Sequence, residues 1–159
     1  MSTDWSLLLR VIVALVLAYI VGFERELRGS PAGDRTFALI GVAAAALTAA
    51  VGRTSPQAIA GIVTGVGFVG AAVLFRTDDA LIRGITTASA IFAVAVIGVV
   101  VGSGHYILAA VTTAAVLLIL ELRNIPLLSR IDARRYADSF RNDWDPPRPA
   151  GGAKPDPTT

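Results

Sequence analysis

The polar positions of this chain come in bursts, and the stretches between them are apolar on nearly every side. Five apolar runs follow one another: residues 7–23 (LLLRVIVALVLAYIVGF), 34–52, 57–75, 84–102 and 105–122. As a helix, each run is long enough to cross a hydrocarbon core of roughly 30 Å. A soluble bundle would instead show polar residues at helical spacing along one face. The pattern predicts an all-α membrane protein: a compact bundle of five transmembrane helices. Ser30-Pro31 and Ser55-Pro56 precede the second and third runs, the signature of an N-cap followed by proline in the first turn. Gly52 and Gly104 stand where helices should stop. The Ser103-Gly104-His105 turn is so short that the fourth and fifth runs should pair antiparallel.

Composition supports this picture. Of 159 residues, 54% are hydrophobic and 16% are charged, against about 25% charged in an average soluble domain. Mean hydropathy is +0.66. There is no cysteine, so neither a disulfide framework nor a thiolate metal site is available. The formal net charge of +2 is too small to argue for nucleic acid. No nucleic-acid partner is expected; the expected partner is the lipid bilayer.

Charge placement sets a direction. Segment 24–35 holds Arg25, Arg28 and Arg35, and the next loop holds only Arg53. The third loop holds Arg76 and Arg83, and the 103–105 turn has no Arg or Lys. The tail after residue 122 carries Arg123, Arg130, Arg134, Arg135, Arg141, Arg148 and Lys154. Basic and poor loops alternate, so the positive-inside rule puts the N-terminus outside and the C-terminus in the cytoplasm. A multi-pass protein of the inner or plasma membrane is expected. The first run is read as a retained helix, because it has no basic region ahead of it and ends in GFERELRG rather than a small-residue cleavage site. Segment 123–141 has two open readings, a basic interfacial helix and a soluble cytoplasmic extension. Residues 142–159, with five prolines among polar residues, are expected to be disordered.

The stretch GVGFVG (65–70) matches the dinucleotide fingerprint G-x-G-x-x-G. That motif needs a buried strand before it and an acid about 20 residues on. Here it lies inside an apolar helical run, and the residue at that distance is Ile85. The glycines are better read as packing surface. Gly61 and Gly65, and Gly98 and Gly102, are spaced G-x-x-x-G, and Gly67 and Gly70 extend the first pair. Lipid supplies no hydrophobic drive between helices, which associate where small residues let backbones approach. The third helix is therefore expected to be central and crowded, or else to serve a homo-oligomer. A second reading lets glycines and Thr64 unwind this helix around an ion or solute.

Two polar segments remain: GFERELRGSPAGDRT (22–36) and FRTDDALIRGITTAS (75–89). Glu24, Arg28, Asp34, Arg35 and Thr36 would meet Asp79, Arg83, Thr86 and Thr87 at the cytoplasmic mouth, as a mixed-sign cluster or as separate interface anchors. Arg10 is read as a snorkelling anchor rather than part of an ion path. Glu121 is read as pairing with Arg123 or facing headgroups, and His105 as a solvated turn residue. No catalytic constellation, metal site, cofactor motif or Walker-type G-K-[ST] is present in the sequence.

In GFERELRGSPAGDRT, GIVTGVGFVGAAVLF and RGITTAS, in that order, the chain resembles the MgtC/SapB family of bacterial membrane proteins. The resemblance covers roughly residues 7–122. It implies an inner-membrane protein linked to growth in low magnesium and, in some pathogens, to survival in macrophages. It also implies a partner such as the membrane sector of the ATP synthase. Two positions depart from the pattern: Phe37 stands where many members have histidine, and Ala72 where many have glycine. Residues 123–159 are too few for the folded cytoplasmic domain of the better-known members, so that domain is not expected here. Two functions follow: a non-enzymatic regulator or stress-adaptation factor acting through membrane partners, and a subunit of an ion or small-solute transporter or channel.

Overall fold

The apolar runs fold as helices because in lipid every backbone polar group must be satisfied within the segment, and the breaks fall where the backbone must turn. The computed structural model describes residues 2–52, 54–74 and 84–121. The segments 123–141 and 142–159 lie outside the described residues, as do Arg53, Asp79 and Arg83. Among the described residues there are five helices: α1 (Ser2–Leu27), α2 (Asp34–Val51), α3 (Pro56–Leu74), α4 (Ile85–Gly102) and α5 (Tyr106–Glu121). The first four are long and apolar enough to cross a membrane, and α5 is a shorter apolar helix of 16 residues.

The first helix runs past Phe23, where the apolar pattern ends. Glu, Arg and Leu are good helix formers, so nothing in EREL stops it. The stop comes at Gly29, whose φ is 66°. Ser30 N–H donates to the Arg25 carbonyl at 3.0 Å, and Gly29 N–H to the Glu26 carbonyl at 3.0 Å. This is a Schellman ending, with glycine in the left-handed position that a side chain disfavours. α1 is 26 residues long, or about 39 Å at helical rise. Ser30-Pro31 does not cap α2. That helix begins at Asp34, after Gly33, which contributes no side-chain cap.

Packing centres on α2 and α4. Gly98 lies so close to α2 that a methyl group on it would stand 2.5 Å from the Gly41 carbonyl oxygen and 2.9 Å from the Ala44 Cβ. At Gly102 the same methyl would stand 2.6 Å from the Ala45 carbonyl oxygen. Gly41 in turn meets Ala18 of α1. The buried shell consists of Ala14, Ala18 and Val21 from α1, Phe37 and Ala45 from α2, Ile91, Val94, Ile97 and Val101 from α4, and Ala109 from α5.

The third helix is not central, contrary to the reading from its glycines. Gly70 is its only buried residue. Gly61, Gly65 and Gly67 have no atom within 4 Å of where a Cβ would sit, whereas Gly70 touches Ala88 of α4. Small residues show that a close approach is possible, but not which neighbour makes it, and α4 holds the centre instead. Large apolar side chains such as Leu39, Phe68 and Ile107 are at least 70% exposed. In water that much apolar surface would be a liability, whereas against acyl chains it costs nothing.

The packing separates two sets of glycines. Gly98→Val is expected to lower stability by at least about 2 kcal/mol through overpacking. Gly65→Val is expected to change it by no more than about 0.5 kcal/mol. Unfolding midpoints of the two variants in detergent micelles check the contrast.

Candidate functional site

Glu24 belongs to the same face of α1 as Ala14, Ala18 and Val21, which explains why a carboxylate at the end of the helix is buried. It is 9% exposed. Its Oε1 lies 3.5 Å from Arg28 Nε, one helical turn on, and its Oε2 lies 3.9 Å from Arg25 Nη1. Neither Glu24 oxygen has a hydrogen-bond partner among the described residues, nor does the buried Arg25 Nε. Arg25 is nearly as covered as Glu24, while Arg28 reaches solvent.

A second polar group forms at the start of α2. Glu26 Oε2 accepts the Asp34 N–H at 3.0 Å, and Asp34 Oδ1 accepts the Arg35 N–H at 2.6 Å. The first N–H groups of a helix lack intrahelical partners, so carboxylates from α1 and from the helix itself satisfy two of them. Gly33 makes room for this, since a Cβ there would stand 2.5 Å from Glu26 Oε2. Glu26, Ser30, Gly33, Asp34, Arg35 and Thr36 line an open cavity of about 410 Å³.

Ser30 ties this end to the start of α4. Its hydroxyl and the Thr87 hydroxyl are 2.9 Å apart, across 57 residues of sequence. Thr87 is 2% exposed at the start of α4. The dipeptide that looked like a helix cap is instead a tertiary clamp between the α1–α2 loop and α4.

The contacts sort the residues expected at this mouth into local groups. Glu24 and Arg28 form one group, with Arg25. Asp34, Arg35 and Thr36 form another, with Glu26. Thr87 joins through Ser30, while Thr86 is exposed, and Asp79 and Arg83 lie outside the described residues. Among the described residues no three His, Cys, Asp or Glu side chains converge as a metal site would require. At the opposite end Arg10 Nη1 donates to the Gly102 carbonyl at 2.7 Å, at the end of α4.

The sequence model of the MgtC family matches residues 11–126. The chain belongs to the MgtC family. It is 37% identical over 129 residues to a protein of Escherichia coli (strain K12) named "Putative magnesium transporter YhiD", covering 72% of this chain and 59% of that protein. It is 31% identical over 116 residues to Protein SapB of Bacillus subtilis (strain 168), covering 65% of this chain and 50% of SapB. It is 37% identical over 109 residues to Protein MgtC of Brucella abortus (strain 2308), covering 65% of this chain and 45% of that protein. The matched region thus spans about half the length of these curated relatives. No solved structure matches. The family match begins inside α1 and runs past the end of α5, so it contains both polar groups and the Ser30–Thr87 clamp.

Two outcomes follow for this MgtC-family bundle. Glu24→Ala strands the covered Arg25 and is expected to cost about 3 kcal/mol, the lower part of the range for breaking a buried pair, because Arg28 is solvated. Glu24→Gln is expected to cost less, which denaturation in mixed micelles will show. For the clamp, a double-mutant cycle of Ser30→Ala with Thr87→Val is expected to give a coupling of about 1 kcal/mol.

Proposed function

We propose that this chain is a non-enzymatic protein of the inner (plasma) membrane, with its Glu24 end in the cytoplasm. It works by docking onto another membrane protein during low-magnesium, acid or intracellular stress. The observation that carries this reading is the closed centre of the bundle. α1, α2 and α4 meet backbone to backbone at Gly41, Gly98 and Gly102, inside a shell of alanine, valine and isoleucine. The acidic residues of the described helices, Asp4, Glu24, Glu26, Asp34 and Glu121, all sit in a first or last turn. Cation paths through membranes normally place an ionisable group at mid-depth. The uncovered glycines of α3 suit the approach of a partner helix, from a protein such as the ATP synthase membrane sector or from a second copy.

The alternative, a transporter subunit, draws on the name of the Escherichia coli relative, which contains "magnesium transporter". In that case another chain would complete the conduit.

Purified protein in liposomes is expected to pass no more Mg²⁺ than protein-free vesicles, while affinity capture from native membranes yields a stoichiometric membrane partner. Mg²⁺ flux by the protein alone would overturn the docking reading. Arg35→Ala, an exposed change outside the core, is expected to abolish complementation while membrane levels stay at wild type. Full complementation by that variant would remove the polar groups from the function.

A further inference from the structure

The Arg10 end carries a cavity that the proposed function does not use. Arg10, Thr48, Gly52, Gly102, Ser103, Gly104 and His105 line it, and its volume is about 390 Å³. Two groups there lack partners. Thr48 is 3% exposed, and its hydroxyl oxygen has no hydrogen-bond partner among the described residues. Arg10 uses Nη1 on the Gly102 carbonyl, but its buried Nε is unpartnered. A guanidinium has five donors and no acceptor, so one carbonyl leaves most of it unsatisfied. Among the described residues, no acid lines the cavity. A part-buried cation without a counter-charge is disfavoured, and the group that meets both the charge and the donors is an oxyanion. Gly104, at φ 89°, leaves room beside the arginine: a Cβ there would stand 3.4 Å from Nη2.

A second cavity of about 570 Å³ adjoins the first and shares Gly104 and His105 with it. Tyr106, Ile107, Leu108 and Val111 along α5 form the rest of its lining. A polar pocket that continues into an apolar groove along a membrane helix has the shape of a phospholipid. Trp5 lies one to two turns before Arg10 on α1 and is 69% exposed, as interfacial tryptophans are, which sets this end at headgroup level.

We propose that this end binds one anionic phospholipid, its phosphate on Arg10 and Thr48 and an acyl chain along the α5 groove. Phosphatidylglycerol fits better than phosphatidylethanolamine, because the cavity offers no carboxylate for an ammonium group.

Native mass spectrometry of the delipidated protein, titrated separately with the two lipids and with inorganic phosphate, tests the proposal. One phosphatidylglycerol is expected to bind about tenfold more tightly than phosphatidylethanolamine. Arg10→Gln is expected to lose about tenfold in that affinity, as for one charge-assisted hydrogen bond. Arg10 also caps α4, so Thr48→Val, which leaves the cap intact, is the second variant, with an expected loss of about threefold. Equal binding of both lipids, or unchanged phosphatidylglycerol affinity in Thr48→Val, would overturn the assignment. So would inorganic phosphate displacing the lipid at equal concentration, which would mark the cavity as a site for the free anion.

Discussion

The structure depends on how closely α2 approaches α4. In water, two helices are driven together by the area they hide; in lipid that drive is absent, and association rests on dispersion contacts between closely fitted surfaces. Gly41, Gly98 and Gly102 allow backbone to touch backbone, and Ala14, Ala18, Ala44 and Ala45 continue the same surface. The larger core residues, Phe37, Ile91 and Ile97, are fully buried in this group of helices. Because the middle of the bundle closes this way, the ionic groups of the described helices are displaced to its ends. The separation into a dry centre and two charged ends is a consequence of the crossing.

The number and type of elements were legible in the sequence because length and apolarity alone decide whether a helix can span lipid. The arrangement was less legible. α2 and α3 are both rich in small residues, and local spacing cannot say which of them faces the centre. The answer comes from α4, whose Gly98 and Gly102 fit against Ala44, Ala45 and Gly41 of α2, a match between distant segments. The polar end shows the same limit. Glu24 and Arg28 were readable as a helical pair because their partnership is local. Ser30 was misread as a cap because its true partner, Thr87, is 57 residues away. Glu26 was passed over for a similar reason. Its role at the start of α2 exists only once Gly29 has turned the chain back.

The buried Glu24 also bears on what the polar end contributes. At about 4 Å and an effective dielectric near 20, a charge pair gains about 4 kcal/mol. Dehydrating the two ions costs several kcal/mol each. The dehydration cost offsets the attraction, so the group is not a source of net stability. What it does is penalise every arrangement that separates Glu24 from Arg25 and Arg28, and so it fixes how the end of α1 meets the rest of the bundle. The Ser30–Thr87 clamp acts in the same sense at smaller energy, tying the α1–α2 loop to the first turn of α4.

The two ends are therefore unlike in kind. At the Glu24 end, acids and arginines mix along one short segment: Glu24 pairs with Arg25 and Arg28, and Glu26 accepts the Asp34 N–H. At the Arg10 end, among the described residues, one guanidinium bonds a carbonyl in a cavity that it shares with the unpartnered Thr48 hydroxyl, and no acid lines that cavity. A mixed-sign surface of this kind carries a charge pattern, and complementary charge is what decides which partner would fit such a surface. A part-buried cation in a polar pocket beside an apolar groove gains most from a ligand that brings both a negative charge and an apolar tail. The dry α2–α4 crossing between the two ends keeps the two sets of charges apart.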